Sequence, residues 1–326
     1  DDQSIYRFRG AEVRNILTFQ NSFKGTEIVK LEQNYRSTQA ILELATHVVN
    51  GNSGRLGKTL WTARKGGRRP QLQYLLDQQQ EARFCADLLE DGKLEDTAIL
   101  YRTNAQSLAF ESLFTTLGIP YRIVGALRFY DREEIKDSLA MLAMLVNPRD
   151  EIAFRRIINK PARGLGPASV NKILDEVPGA EGNLLAAAHR ALDNLTARGA
   201  TGVKSFLEVF AAAVAIEETS PLPDLIKTML NDSGLLRYHR EQDQIAGSTK
   251  VRNMEELASA SADFDSGMEG LATFLELIEL DRSRFNEQEN DGRERVTLIT
   301  MHNTKGLEFP RVIISGLEEG LFPSWQ

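Results

Sequence analysis

The sequence predicts an α/β fold in which a mostly parallel sheet is interrupted by an all-helical insertion and then resumed. Short apolar runs alternate with helical stretches over residues 27–124, a pattern typical of a doubly wound parallel sheet. Over residues 131–281 strand patterns almost disappear, and apolar residues recur at helical spacing. Strand patterns return at residues 296–300 and 311–315. The two outer parts therefore belong to one sheet, and the middle is a helical module.

The same patterns predict the individual elements. Strands are predicted at residues 26–29, 72–76, 97–101 and 121–124. Helices are predicted at residues 41–49, 81–89 and 107–117, the last of them ended by Gly118 and Pro120. Within the insertion, two helical faces are apolar, namely Ile135, Leu139, Leu142 and Val146 on one helix and Leu271, Phe274, Leu275 and Ile278 on another. An acidic stretch at residues 286–291 is predicted to be the linker back to the sheet.

Composition narrows the class of protein. The chain has 326 residues, of which 42% are hydrophobic, so it is long enough for two domains. It lacks both a run of about 18 apolar residues and an apolar signal-peptide core, so we expect no membrane span and a cytoplasmic location. The single Cys85 excludes an internal disulfide, and the four histidines are widely separated, so no metal site is expected. The net charge of −7 gives no overall basic field, although residues 64–69 (RKGGRR) are locally basic.

Residues 31–38 (LEQNYRST) form the first candidate site, because they lie between a predicted strand and a predicted helix. Loops at the carboxyl ends of parallel strands commonly hold ligands. The ring of Tyr35 could stack on a base, and the guanidinium of Arg36 could bind phosphate oxygens. The alternative is that Tyr35 packs into a core and Arg36 pairs with a surface carboxylate.

Residues 301–309 (MHNTKGLEF) form the second candidate site, again directly after a predicted strand. His302 and Lys305 beside Gly306 suit phosphate contacts, and the carboxylate of Glu308 could accept a ribose hydroxyl. The alternative is an ordinary strand-to-helix connection with solvated charges.

Residues 161–173 (PARGLGPASVNKI) place the turn Gly164-Leu165-Gly166 at the head of a helix. Exposed backbone N–H groups at a helix start bind anions, and Lys172 adds positive charge, so a DNA phosphate could dock here. The alternative is a helix–helix corner that uses glycine for its positive φ.

Taken in order, these segments resemble the UvrD/Rep/PcrA family of superfamily 1 DNA helicases. Three segments resemble family motifs III, IV and V, namely residues 1–11 (DDQSIYRFRGA), 31–38 and 296–309 (VTLITMHNTKGLEF). Three more match family segments in the same order, namely residues 98–107, 118–137 and 159–166. The resemblance covers nearly the whole chain and is weak from about residue 182 to residue 268.

The resemblance implies two RecA-like (P-loop NTPase-type) motor lobes, each with an inserted subdomain, and ATP bound between the lobes. Residues 1–20 would then be the end of the first lobe, which carries motif III. Residues 21–148 and 291–326 would form the second lobe, and residues 149–290 would be its all-α inserted subdomain.

The resemblance also implies roles for individual residues at the nucleotide. Gln3 would sense the γ-phosphate, and Arg36 would act as an arginine finger on the transferred phosphoryl group. Tyr35 would stack on adenine, and Glu308 would hold the ribose.

Other residues would contact DNA by the same resemblance. Phe8 stands where many relatives have tryptophan and would stack on a base of the single strand, with Arg9 and His302 near the DNA backbone. The turn from Gly164 to Gly166 resembles the hairpin by which the family's insertion touches duplex DNA.

The parent protein would therefore be an ATP- and Mg²⁺-dependent 3′ to 5′ DNA helicase of repair or replication. The family's Walker A loop and most of motif II would lie before Asp1, and motif VI would lie beyond Gln326. We therefore expect this polypeptide alone neither to hydrolyse ATP nor to unwind DNA. The alternative is a non-catalytic module that binds DNA or a protein partner.

Overall fold

The computed structural model describes residues 18–52, 57–216, 220–246, 248–288 and 293–323. The chain forms two compact units, one made of residues 1–76 with 304–308 and the other of residues 77–303 with 309–326. Across the described residues, no helix is both long enough and apolar enough to cross a membrane.

The first unit contains two helices among its described residues, α1 (Phe19–Ser22) and α2 (Gln39–Val49). The strands predicted at residues 26–29 and 72–76 are wrong, because neither segment forms a β-strand. Their apolar side chains are largely solvent-exposed, with Val29 at 74% and Leu76 at 90%. A β-branched or apolar run indicates strand propensity, but a strand also needs a paired neighbour and a buried face.

A parallel sheet is the centre of the second unit. Its strands are β1 (Thr97–Tyr101), β2 (Tyr121–Val124), β3 (Val296–Thr300) and β4 (Arg311–Ile314), in the order β2-β3-β1-β4. All three neighbouring pairs are parallel. Strands β2 and β3 are neighbours although the whole insertion separates them in sequence, which confirms the predicted interruption and resumption of the sheet.

Helices α3 (Gln78–Leu89) and α4 (Ser107–Leu117) pack against this sheet. Asp77 caps α3 by accepting a hydrogen bond from the backbone N–H of Gln80, and Gly118 ends α4 in the left-handed region at φ 68°. The shared core includes buried residues from both helices and from three strands, namely Cys85, Leu89, Ile99, Phe110, Phe114, Tyr121 and Leu298.

The region at residues 131–288 is all-helical across its described residues. Its helices are α5 (Glu133–Val146), α6 (Glu151–Ile157), α7 (Pro167–Asp175), α8 (Leu184–Arg190), α9 (Ala197–Ile216), α10 (Leu222–Asp232), α11 (Leu235–Ala246), α12 (Lys250–Ser259) and α13 (Gly267–Gln288). They share one core, which buries five of the predicted apolar positions, namely Ile135, Leu142, Leu271, Phe274 and Ile278. Helix α13 runs three residues into the predicted linker at 286–291. The predicted fold class is confirmed, whereas the domain boundaries stay a prediction.

Candidate nucleotide and DNA site

The loop at residues 31–38 is closed by an asparagine. The side-chain Oδ1 of Asn34 accepts hydrogen bonds from the backbone N–H groups of Arg36 (3.0 Å) and Ser37 (2.8 Å). This turn holds Tyr35 in an exposed position, with 73% of the residue accessible. Its hydroxyl donates to Oε1 of Gln33 at 2.8 Å. The alternative in which Tyr35 packs into a core is therefore wrong, and a face of its ring is accessible for stacking.

The segment at residues 61–64 is hydrogen-bonded to this loop. Trp61 pairs with the loop through hydrogen bonds from its own N–H to the carbonyl of Glu32 (3.0 Å) and from the N–H of Asn34 to its carbonyl (2.7 Å). Nη1 of Arg64 donates to the carbonyl of Arg36 at 2.7 Å, so the basic stretch predicted at residues 64–69 lies beside the loop. Arg64 thus adds a second guanidinium beside Arg36.

Arg36 and Glu308 are brought together although 272 positions separate them. Nε of Arg36 lies 2.7 Å from Oε2 of Glu308, and the two side chains are 53% and 68% exposed. The structure therefore unites two of the residues predicted for nucleotide binding. It also agrees with the alternative in which Arg36 pairs with a surface carboxylate, and that carboxylate is Glu308.

His302 lies at the carboxyl edge of the sheet in the second unit, just after β3. The loop is anchored there because the N–H of Met301 donates to the carbonyl of Tyr101 at 2.8 Å. Nδ2 of Asn303 donates to the carbonyl of Gly125 at 3.2 Å, which ties the loop after β3 to the loop after β2. His302 is half-buried. Residues 301–310, all of them described, join β3 directly to β4, so the strand-to-helix connection is wrong.

The predicted turn at the head of a helix is confirmed. Gly164 has φ +76°, and Gly166 is the N-cap of α7, with Pro167 in the first turn. Both glycines are exposed, whereas Leu165 between them is buried. Nζ of Lys172 donates to the carbonyl of Asn194 at 2.9 Å. The turn presents backbone to solvent at a helix N-terminus, a geometry suited to a phosphate.

Sequence reasoning missed Asn159, which closes this turn. Its Nδ2 donates to the carbonyl of Leu165 at 2.7 Å, and its Oδ1 accepts from the N–H groups of Arg163 (2.6 Å) and Leu165 (3.3 Å). Asparagine side chains commonly bond nearby backbone, so an asparagine ahead of a Gly-x-Gly turn was the available signal.

A cluster of charges links helix α5 to the segment that precedes the turn. Asp137, which has no exposed side-chain surface, lies 2.7 Å from Nη2 of Arg156, 2.6 Å from Nζ of Lys160 and 3.1 Å from Nε2 of His239. Burial alone would raise the pKa of Asp137, but the hydrogen bonds from His239 and Lys160 and the charges of Lys160 and Arg156 lower it. We call these residues, together with Glu133 and Lys250, the Asp137 cluster.

Glu133 is the second acid of the cluster. Its carboxylate accepts 2.6 Å contacts from Nζ of Lys160 and from Nζ of Lys250. These hydrogen bonds lower the pKa of Glu133 from 4.5 to about 2. Burial would lower the pKa of Lys160, but its hydrogen bonds to Asp137 and Glu133 raise it instead. Glu133, Asp137 and Lys160 therefore stay charged at neutral pH.

The remaining predicted site residues, Gln3, Phe8 and Arg9, lie outside the described residues. Within the described part of the chain, no group of three or more His, Cys, Asp or Glu side chains could hold a metal ion.

One unit carries an exposed tyrosine–arginine loop, and the other carries a parallel sheet and a long helical region with an exposed glycine turn; these features are those of a domain of the helicase class. The chain belongs to the family of the UvrD-like helicase C-terminal domain, whose sequence profile matches residues 29–326. The predicted resemblance is thereby confirmed.

Individual relatives agree with this family. The chain is 38% identical over 338 residues to DNA helicase II of Escherichia coli (strain K12), covering 99% of this chain and 46% of that protein. It is 36% identical over 336 residues to the ATP-dependent DNA helicase PcrA of Bacillus subtilis (strain 168), covering 99% of this chain and 45% of that protein. The chain thus spans about half the length of the curated relatives it matches.

Proposed function

We propose that this chain contributes a motor lobe and its helical insertion to an ATP-dependent DNA helicase that moves 3′ to 5′ on single-stranded DNA. Residues 21–148 and 291–326 would be the second motor lobe, residues 149–290 its insertion, and residues 1–20 the end of the first lobe. The observation that carries the proposal is the meeting of Arg36 and Glu308 beside an exposed Tyr35.

The residues present fit a nucleoside triphosphate. An exposed aromatic ring, a guanidinium and a carboxylate are the groups that adenine, phosphate and ribose respectively require. ATP with Mg²⁺, when bound, supplies the phosphoryl group whose transfer drives movement. In this proposal Tyr35 stacks on the base, Glu308 holds the ribose, Arg36 stabilises negative charge on the phosphoryl group, and Gln3 senses the γ-phosphate. We assign no Mg²⁺ ligand to the described residues.

DNA would be held at two places. Phe8, Arg9 and His302 would contact the single strand, by stacking and by backbone contacts. The turn from Gly164 to Gly166, with the first turn of α7, would contact phosphates of the duplex at the junction. The exposed backbone of this turn supports that assignment, whereas Lys172 is already bonded to Asn194 and would add charge rather than a direct contact.

The test is strand separation by the full-length product of the gene. We expect ATP-dependent unwinding of a duplex that carries a 3′ single-stranded tail and little unwinding of the same duplex with a 5′ tail. Unwinding of the 5′-tailed duplex alone would contradict the polarity. A protein that binds DNA without turning over ATP would instead support the non-catalytic binding module.

A further inference from the structure

Arg163 lies at the base of the Gly164–Gly166 turn and closes the end of helix α6. Its Nη1 donates to the carbonyls of Ile157 and Lys160, both at 2.9 Å, with a longer contact of 3.3 Å to the carbonyl of Ile158. The last four carbonyls of a helix have no partner within the helix. The guanidinium of Arg163 therefore acts as the C-terminal cap of α6.

The same side chain reaches two further elements. Its Nη2 donates to the carbonyl of Ser233, just beyond the end of α10, at 2.9 Å. Its guanidinium carbon lies 5.1 Å from the ring centroid of Phe206 on α9. Burial lowers the pKa of Arg163 to about 10, so the group stays charged at neutral pH. One side chain thus joins α6, α9 and α10 beneath the turn.

Helix α9 lets the turn approach its backbone closely. A β-carbon at Gly202 would overlap the carbonyl oxygen of Arg163, and a β-carbon at Gly199 would lie 3.2 Å from Cδ2 of Leu165. Residues three apart share one face of a helix, so the two glycines leave one patch of α9 without side chains, and the turn packs against it. The position of the turn is therefore set by the hydrogen bonds of Arg163 and by close packing against α9 at Gly199 and Gly202.

We infer that Arg163 is a positioning residue for duplex DNA, which holds the Gly164–Gly166 turn and the first turn of α7 in the arrangement that binds phosphate. This inference rests on the proposed DNA contact of the turn. Backbone N–H groups bind phosphate only when several point at one place, so a turn fixed beforehand binds more tightly than one that must be ordered. Because the guanidinium donates to carbonyls beneath the turn, Arg163 acts through the turn and does not touch DNA.

The test measures binding of the 326-residue chain to a blunt duplex by fluorescence anisotropy at several salt concentrations, with melting temperature recorded for each variant. For Arg163→Gln we expect duplex affinity to fall by about tenfold. A tenfold change corresponds to roughly the net free energy of one hydrogen bond, which is the scale expected when the turn is no longer held in place. The slope of log affinity against log salt should not change. A residue that itself contacts phosphate would reduce that slope by about 0.9.

Two variants provide controls. Arg155 on α6 is exposed and pairs with Glu151, so Arg155→Gln removes one equal charge nearby without touching the turn and should leave affinity within about twofold. Ala168 is exposed in the first turn of α7, and Ala168→Glu places a negative charge where phosphate would bind while suiting the helix dipole. Ala168→Glu should abolish duplex binding in a folded chain.

The outcomes separate the two ideas. If Ala168→Glu binds duplex as the unchanged chain does, the proposed DNA contact of the turn fails. If Ala168→Glu fails to bind but Arg163→Gln binds normally, only the positioning role of Arg163 is wrong, and a lower salt slope for Arg163→Gln would reassign it as a direct contact. If Arg163→Gln does not fold, the second variant Gly202→Ala tests the inference. Its added methyl group displaces the turn, while alanine has a higher helix propensity than glycine. Normal duplex affinity of Gly202→Ala would overturn the inference.

Discussion

The buried carboxylate of Asp137 on helix α5 lies 2.6 Å from Nζ of Lys160, in the segment that leads to the Gly164–Gly166 turn. Asp137 also contacts Arg156 and His239, so one acid holds side chains from three parts of the helical insertion. The contact joins helix α5 to the segment proposed to approach DNA.

Replacing Asp137 should therefore destabilise the insertion. Asp137→Asn keeps the shape but leaves Arg156 and Lys160 without their buried counter-charge. We expect a loss of about 2 to 4 kcal/mol in the free energy of unfolding, below the full cost of a fully buried pair because both cations retain some water contact. Urea denaturation followed by circular dichroism measures it. Glu151→Gln, which breaks an exposed ion pair on α6, should cost under about 0.5 kcal/mol, and an equal loss in both variants would refute the special role of Asp137.

Acid should weaken the same cluster. The folded-state pKa of Glu133 is lowered from 4.5 to about 2 by its hydrogen bonds to Lys160 and Lys250. The stability that this acid contributes is therefore complete above about pH 4.5 and is lost as the pH falls towards 2. Urea unfolding measured from pH 6 down to pH 2 should show this decline, and Glu133→Gln should make it shallower. If Glu133→Gln loses stability between pH 6 and pH 2 as steeply as the unchanged chain, other groups cause the decline.

A second buried network joins the sheet to the start of the insertion. The carboxylate of Glu111 on α4 accepts from Oγ of Ser107 at 2.6 Å and from the N–H of Phe129 at 3.2 Å. Nη2 of Arg132 donates to the same Ser107 hydroxyl at 3.0 Å. Burial raises the pKa of Glu111 and lowers that of Arg132, so each ionised form depends on the other.

A double-mutant cycle tests this dependence. Glu111→Leu and Arg132→Leu should each lower the free energy of unfolding by about 3 kcal/mol or more, because each leaves buried polar groups without partners. The double variant should cost less than the sum of the two by at least about 1 kcal/mol. Strictly additive losses, measured by urea denaturation, would mean that the two residues act independently.

The regular elements were largely predictable from sequence. Helix α4 begins at Ser107 and ends at Leu117 as predicted, because its apolar spacing is regular and Gly118 supplies the left-handed residue that ends it. The four strands of the sheet carry concentrated β-branched or aromatic residues and were also predicted. The segments at residues 26–29 and 72–76 have similar composition but expose their apolar side chains, since local propensity does not provide a pairing partner.

The site was predictable only in part. Tyr35, Arg36 and Glu308 were identified as candidates from their motifs, but no spacing rule brings Arg36 to Glu308 across 272 positions. The supports of the glycine turn were missed altogether. Asn159 and Arg163 act through side-chain bonds to backbone carbonyls and N–H groups, and such bonds leave no periodic signal in a sequence.

The most direct test of the account is ATP turnover, with single-stranded DNA present, by the full-length gene product carrying Arg36→Ala. Arginine fingers contribute about 10³ to 10⁵ in rate, so turnover should fall by orders of magnitude while single-strand affinity stays nearly unchanged. Arg83→Ala, which removes an exposed arginine from α3, serves as the matched control and should keep its activity. Turnover that survives in Arg36→Ala at the level of the Arg83→Ala control would contradict the assignment of Arg36 to the nucleotide.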